Sequence, residues 1–263
     1  MIKITPYKIS TPNIQSMKNE GEKSSFVSFS ADLQPARVQF NNLGRYPIPP
    51  NLSSVKTQEI FLAPTWLKDA TITKALSYLN NLEFEPSDVR EVQSQGSILP
   101  FLSGKEAVNF IKNSNTRIKF SAMPSSNIHA QYDYENNFIK VSELYKNTQN
   151  PAEILAIAEA ILHEAGHAKD TDGQSSIQEE INCLALNALS HRAFSKTFPN
   201  VFSNADSLII KDGVSVYSEL FFDKDPSKTK LINRIQQKYG FLPTGDFNHP
   251  PSELAFKVKK VYN

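Results

Sequence analysis

Cysteine is almost absent: Cys183 is the single one among 263 residues. That excludes an intramolecular disulfide and any multi-cysteine zinc knuckle, and it points to folding in a reducing compartment. Any metal chemistry must use histidine and carboxylates. A charge excess of either sign is lacking too, with 28 Lys and Arg against 27 Asp and Glu, a formal net charge of +1. No basic run marks a nucleic-acid or anionic-membrane partner, so neither is expected. No stretch of about 18 apolar residues occurs, which argues against a transmembrane helix. The start, MIKITPYKISTPNIQ, has no basic segment leading into an apolar one, so no Sec signal is expected either. What remains is an ordinary folded chain, 40% hydrophobic and 21% charged, expected to be soluble and monomeric.

Composition divides the chain in two. Residues 1–55 are rich in Ser, Asn, Lys and Pro, lack helical periodicity and end in RYPIPPN. They read as a poorly ordered tail or linker, or else as a few edge strands around SSFVSFS and ARVQF. Residues 56–263 read as one domain. Helices are expected from capping residues at Asp69, Ser87 and Ser103. RIKFSAM and IHAQYDYENNFIKV then switch to near period two, with YENN as a hairpin connection, which predicts a small antiparallel sheet. Asn150-Pro151-Ala152-Glu153 reads as a capping-box start for a helix over 151–169. Further helices are expected over about 176–194, 205–222, 226–239 (stopped by Gly240) and 251–262.

The chemistry-bearing segment is His163-Glu164-Ala165-Gly166-His167. On a helix, residues i and i+4 stand one above the other, so both imidazoles can reach one Zn²⁺ about 2.0–2.1 Å away. Glu164 lies one step round, placed to act as general base on a metal-activated water. Ala156, Ala160 and Gly166 are small enough to leave room for a metal and a substrate. A catalytic zinc needs a third protein ligand and an open position. In SSIQEEINCLALNAL, Glu180 lies about 100° from the centre of the apolar stripe and Glu179 about 160° from it, on the solvent side. Glu180 is the better ligand; Glu179 and Glu219, in VYSELFFD, stay as rivals. Asp170 is either a turn residue or a partner that orients a ligand histidine. His249, Tyr217, His191 and Tyr239 are candidates to stabilise an oxyanion, and His129 reads as a sheet-face residue.

HEAGHAKD resembles the active helix of bacterial gluzincins, including lethal-factor-like toxin and effector metallopeptidases, and AQYDYENNFIKV is similar to the hairpin strand before it. The resemblance covers roughly residues 117–190. It implies an α+β, zincin-like fold: a small antiparallel sheet, an active helix and a mostly helical C-terminal half. It also implies zinc on His163 and His167, Glu164 as base, and Asp170 as their neighbour. The lethal-factor type places its glutamate much further along, which keeps Glu219 in play. The expected activity is that of a zinc metalloendopeptidase on peptide or protein substrates, cytoplasmic or exported by a non-Sec route as an effector. An inactive, zinc-stabilised binding module is the alternative.

Overall fold

The computed structural model describes residues 69–202, 207, 209–210 and 215–260. The expectations for residues 1–55, and the boundary after them, lie outside that set. Among the described residues three helices come first: α1 (Ala70–Asn80), α2 (Pro86–Ser94) and α3 (Gly104–Asn113). Asp69 Oδ1 accepts from the N–H groups of Thr71 and Ile72 at 2.8 and 3.2 Å, and Ser103 Oγ accepts from that of Glu106 at 3.3 Å. Both caps satisfy donors that a first helical turn leaves open. The start expected at Ser87 is set instead by Pro86 in the first helical position. Proline's fixed φ suits that position, and it has no N–H to leave unpaired.

The sheet has three strands, β1 (Arg117–Ser121), β2 (Ala130–Asp133) and β3 (Phe138–Ser142), in the order β1-β3-β2. β2 and β3 form the antiparallel hairpin across YENN, with Tyr132 opposite Ile139. The wholly antiparallel sheet expected from sequence is corrected: β1 runs parallel to β3, with Ile118 opposite Ile139. β3 carries fully buried Ile139 and Val141 and takes the centre, so residues 122–129 cross from one edge to the other. Among the described residues β2 is thus an edge strand. The N–H of Ser142 donates to the His129 carbonyl at 2.9 Å, which turns the N–H and C=O groups of Ala130 and Tyr132 outward. His129 itself is buried, with Nδ1 2.6 Å from the Tyr145 hydroxyl.

Helix α4 (Pro151–Lys169) runs through the centre, buried at every residue from Ile154 to His167. It packs on α1, α3, β2, β3 and helix α5 (Ile177–Thr197). Asn150 Oδ1 accepts from the Ala152 N–H at 3.0 Å. The reciprocal half of the capping box is not made. Glu153 accepts from the Thr148 hydroxyl instead, and Thr148 Oγ1 takes the Asn150 N–H. α5 is also buried all round, from Ile177 to His191. Ser176 caps it, and the carbonyls of Pro243 and Thr244 accept from the N–H groups of Ile177 and Gln178. The two helices touch at Gly166, where a Cβ would lie 2.7 Å from Cys183 Sγ. That glycine permits helix contact rather than making room for a substrate, a second correction.

Four shorter helices with described bounds follow: α6 (Pro199–Phe202), α7 (Ser215–Phe221), α8 (Thr229–Tyr239) and α9 (Glu253–Lys260). α8 and α9 begin later than their patterns suggest, while much of the stretch expected to open the helix from 205 lies outside the described residues. For α8 the delay has a visible cause, since the Asp225 carboxylate accepts from the Ser227 N–H and hydroxyl and Lys228 adopts φ 52°. Among the described residues the architecture is mixed α+β, mostly helical around one small sheet. Among the described residues no helix is long and apolar enough to cross a membrane.

Candidate metal centre

The i, i+4 spacing on α4 stacks the rings of His163 and His167 with centroids 4.9 Å apart and their Nε2 atoms 3.2 Å apart. The loop after α4 lets α5 return alongside, bringing in Glu180. Its Oε2 lies 3.8 Å from His163 Nε2 and its Oε1 3.7 Å from His167 Nε2. All three residues are buried and offer ligand atoms within 4.8 Å of one another, so the group could hold a metal ion. The spacing suits one. Two nitrogens about 2.0–2.1 Å from a tetrahedral ion stand about 3.3 Å apart.

Electrostatics point the same way. Burial pushes the Glu180 carboxyl up to about 7 against the pull of His167, with Glu179 and Glu164 adding to the rise. Burial, then His167 beside it, hold His163 well below the usual imidazole value, which favours the neutral form that ligates. For His167 burial opposes the charge too, but Cys183, Glu180 and Glu179 outweigh it and raise the pKa. Three buried carboxylates around two imidazoles call for a cation, whether proton or metal.

Glu179 corrects the wheel argument. It is only 1% exposed, and its Oε1 accepts from His167 Nδ1 at 2.6 Å and from the Tyr134 hydroxyl at 3.1 Å. α5 has no solvent side at this turn, because Tyr134, just past β2, and His167 on the last turn of α4 close over it. His163 is held similarly. Its ring hydrogen-bonds the Cys183 backbone, and Asn187 Nδ2 lies 3.1 Å from Nδ1. Asn187 Oδ1 is buried without a partner; turning that amide end for end sets Oδ1 on the Nδ1–H and removes the orphan. With Nδ1 protonated on both rings, both Nε2 lone pairs face Glu180. Asn187 was legible at seven residues from Glu180, two turns along one face; Tyr134 was not.

Glu164, next to His163, turns toward the sheet. Its Oε2 accepts from the outward N–H of Tyr132 at 2.7 Å. Burial raises its pKa, and Glu179 adds to this while His167 and the Tyr132 N–H oppose it. Glu164, Glu180 and the two histidines line a cleft of about 240 Å³, with Ile128, Ala130, Gln131, Tyr132, Tyr134, Ser175 and Tyr239 as its other walls. A larger cavity, about 510 Å³, lies between α2, α9 and the turn before α8. It holds no histidine, so size alone does not pick the site. No family model matches the chain, and no curated protein or solved structure does either. The likeness to gluzincins therefore rests on the residues that carry it.

The other candidates separate clearly. Glu219 is exposed on α7, with its charge acting on His191 rather than on the histidine pair. His191 Nδ1 pairs with Glu159 Oε1 at 3.2 Å, and His249 Nδ1 with Asp246 Oδ1 at 3.1 Å. Tyr217 is fully buried, with the Lys238 ammonium 5.6 Å from its ring centre, and does not line the cleft. Tyr239 does line it, close enough to Glu180 for the carboxylate to raise its pKa. Asp170 closes α4 as its C-cap and accepts from Asn248 Nδ2 at 2.6 Å and the Asp172 N–H at 3.3 Å. Its partners are in the turn and the α8–α9 loop, not on the ligand rings.

Proposed function

We propose that this protein is a zinc-dependent metalloendopeptidase. The observation that carries the reading is the buried His163, His167 and Glu180 group opening on a cleft that Glu164 also lines. Its donor set, two imidazoles and one carboxylate, is that of a catalytic zinc rather than a closed structural site. When bound, zinc supplies Lewis acidity that polarises a carbonyl and makes water acidic near neutral pH. Glu164 accepts the water's proton and passes it to the leaving amine, a task suited to a carboxylate whose pKa burial has raised. Tyr239 lines the cleft and is kept protonated chiefly by burial, with Glu180, Tyr217 and Glu164 adding to the effect, and on this reading its phenol donates to the oxyanion.

The substrate class follows from the walls. The outward N–H and C=O groups of Ala130 suit pairing with an extended peptide. Neither Arg nor Lys lines the cleft among the described residues, and on this reading cleavage falls within a chain. The test is elemental analysis with a peptide library as substrate. Wild type should carry about one Zn²⁺ per chain and cleave internal bonds; Glu164→Gln should keep the metal and lose activity by about a hundred- to ten-thousandfold. Zinc without any cleavage would leave the binding module, and a protein that takes up no metal would end the reading.

A further inference from the structure

Edge strand β2 and the residue after it reach the metal centre twice. The backbone N–H of Tyr132 holds Glu164, and two residues on, the Tyr134 hydroxyl donates to Glu179 Oε1 at 3.1 Å. That same oxygen accepts from His167 Nδ1 at 2.6 Å, while Glu179 Oε2 is buried with no partner. Both bonds thus fall on one oxygen. A carboxylate held by the imidazole alone can turn about its last torsion and present either oxygen, letting the ring follow. A second donor from another element removes that freedom. We infer that Tyr134 is a positioning residue of the metal centre: its hydroxyl fixes the Glu179 carboxylate, which in turn aims His167 at the ion. This rests on the zinc reading above.

The surroundings favour a dedicated donor. Part of the Tyr134 ring lines the cleft, yet its hydroxyl is turned inward to a carboxylate that is 1% exposed. The ring meets Tyr132 edge to face at 4.7 Å, so the aromatic contact alone would hold it in place without the hydroxyl. Burial and Glu179 push its pKa up against the pull of His167, which keeps the phenol a donor. Metal-ligating histidines lose about ten- to hundredfold in affinity when their direct partner is removed. One step further out, the expected loss is about three- to tenfold.

The test is a double-mutant cycle on metal affinity. Zinc dissociation constants come from chelator competition, and visible spectra from the cobalt-loaded protein, for wild type, Tyr134→Phe, Glu179→Ala and the pair. Tyr134→Phe keeps the ring and should weaken zinc about three- to tenfold and shift the cobalt bands. In the Glu179→Ala background the same change should do nothing; Glu179→Met, which fills the site without an oxygen acceptor, replaces Glu179→Ala if the latter fails to fold. Unchanged affinity and spectrum in Tyr134→Phe would overturn the inference, as would an equal loss in both backgrounds. A wild type that binds neither zinc nor cobalt would overturn it together with the zinc reading, and would do so before any variant is made.

Discussion

Glu179 and Glu180 are adjacent, alike and both buried, yet the structure gives them different work. Glu180 points both oxygens at the two Nε2 atoms, whereas Glu179 takes the far nitrogen of His167. Successive residues on a helix stand about 100° apart, enough to put one acid in front of a ring and the other behind it. Removing a ligand costs more than removing the group that aims one. Glu180→Ala should therefore abolish measurable zinc binding in a chelator competition. Glu179→Ala should weaken it by about ten- to hundredfold, and Glu219→Ala, exposed on α7, should leave it unchanged. Loss of zinc in Glu219→Ala with retention in Glu180→Ala would move the third ligand to the long-spacing position.

The pairing of α4 with α5 holds the site, and it contains a second buried polar contact outside it. Glu159, one turn before His163, meets His191, one turn after Asn187. Burial opposes the charge on His191, but Glu159 and then Glu219 outweigh it and raise its pKa; burial raises that of Glu159 against His191. A raised folded pKa means stability that is complete below the unfolded value, about 6.5 for histidine, and lost as pH rises through the folded one. The raised pKa of Glu159 has the same sign. The melting temperature of the metal-free wild type should therefore fall, relative to Glu159→Gln/His191→Gln, as pH is taken from 6 to 9. A constant difference between the two melting curves would show that the pair does not titrate in that window.

At the scale of the whole molecule, the ligands come from the two helices buried most deeply, so an ion between them ties the centre of the fold together. Anything that binds only the folded state stabilises it by mass action, about 4 kcal/mol at a thousandfold excess over Kd. For a domain of this size that amounts to about 8–16 °C in melting temperature. Adding zinc to chelator-stripped protein should raise the midpoint by that order, and His163→Ala should lose the response. A midpoint indifferent to zinc in wild type would mean that the ion does not bridge the helices.

Several features followed from sequence alone because their causes are local. The caps at Asp69, Ser103 and Asn150 act over two or three residues, the YENN turn joins its own two strands, and the His163 to His167 spacing matches the helical period. Other features depended on which faces meet. The apolar stripe of α5 implied a solvent side for Glu179, but that side exists only if no neighbour covers it, and Tyr134, just past β2, does. Strand pattern marks which residues are buried and carries no sign of direction, so it could not tell that β1 runs parallel to β3. Of His249, Tyr217, His191 and Tyr239, only the last reaches the cleft. That choice turns on how α8 packs against α5, a contact between residues some sixty positions apart that no local preference encodes.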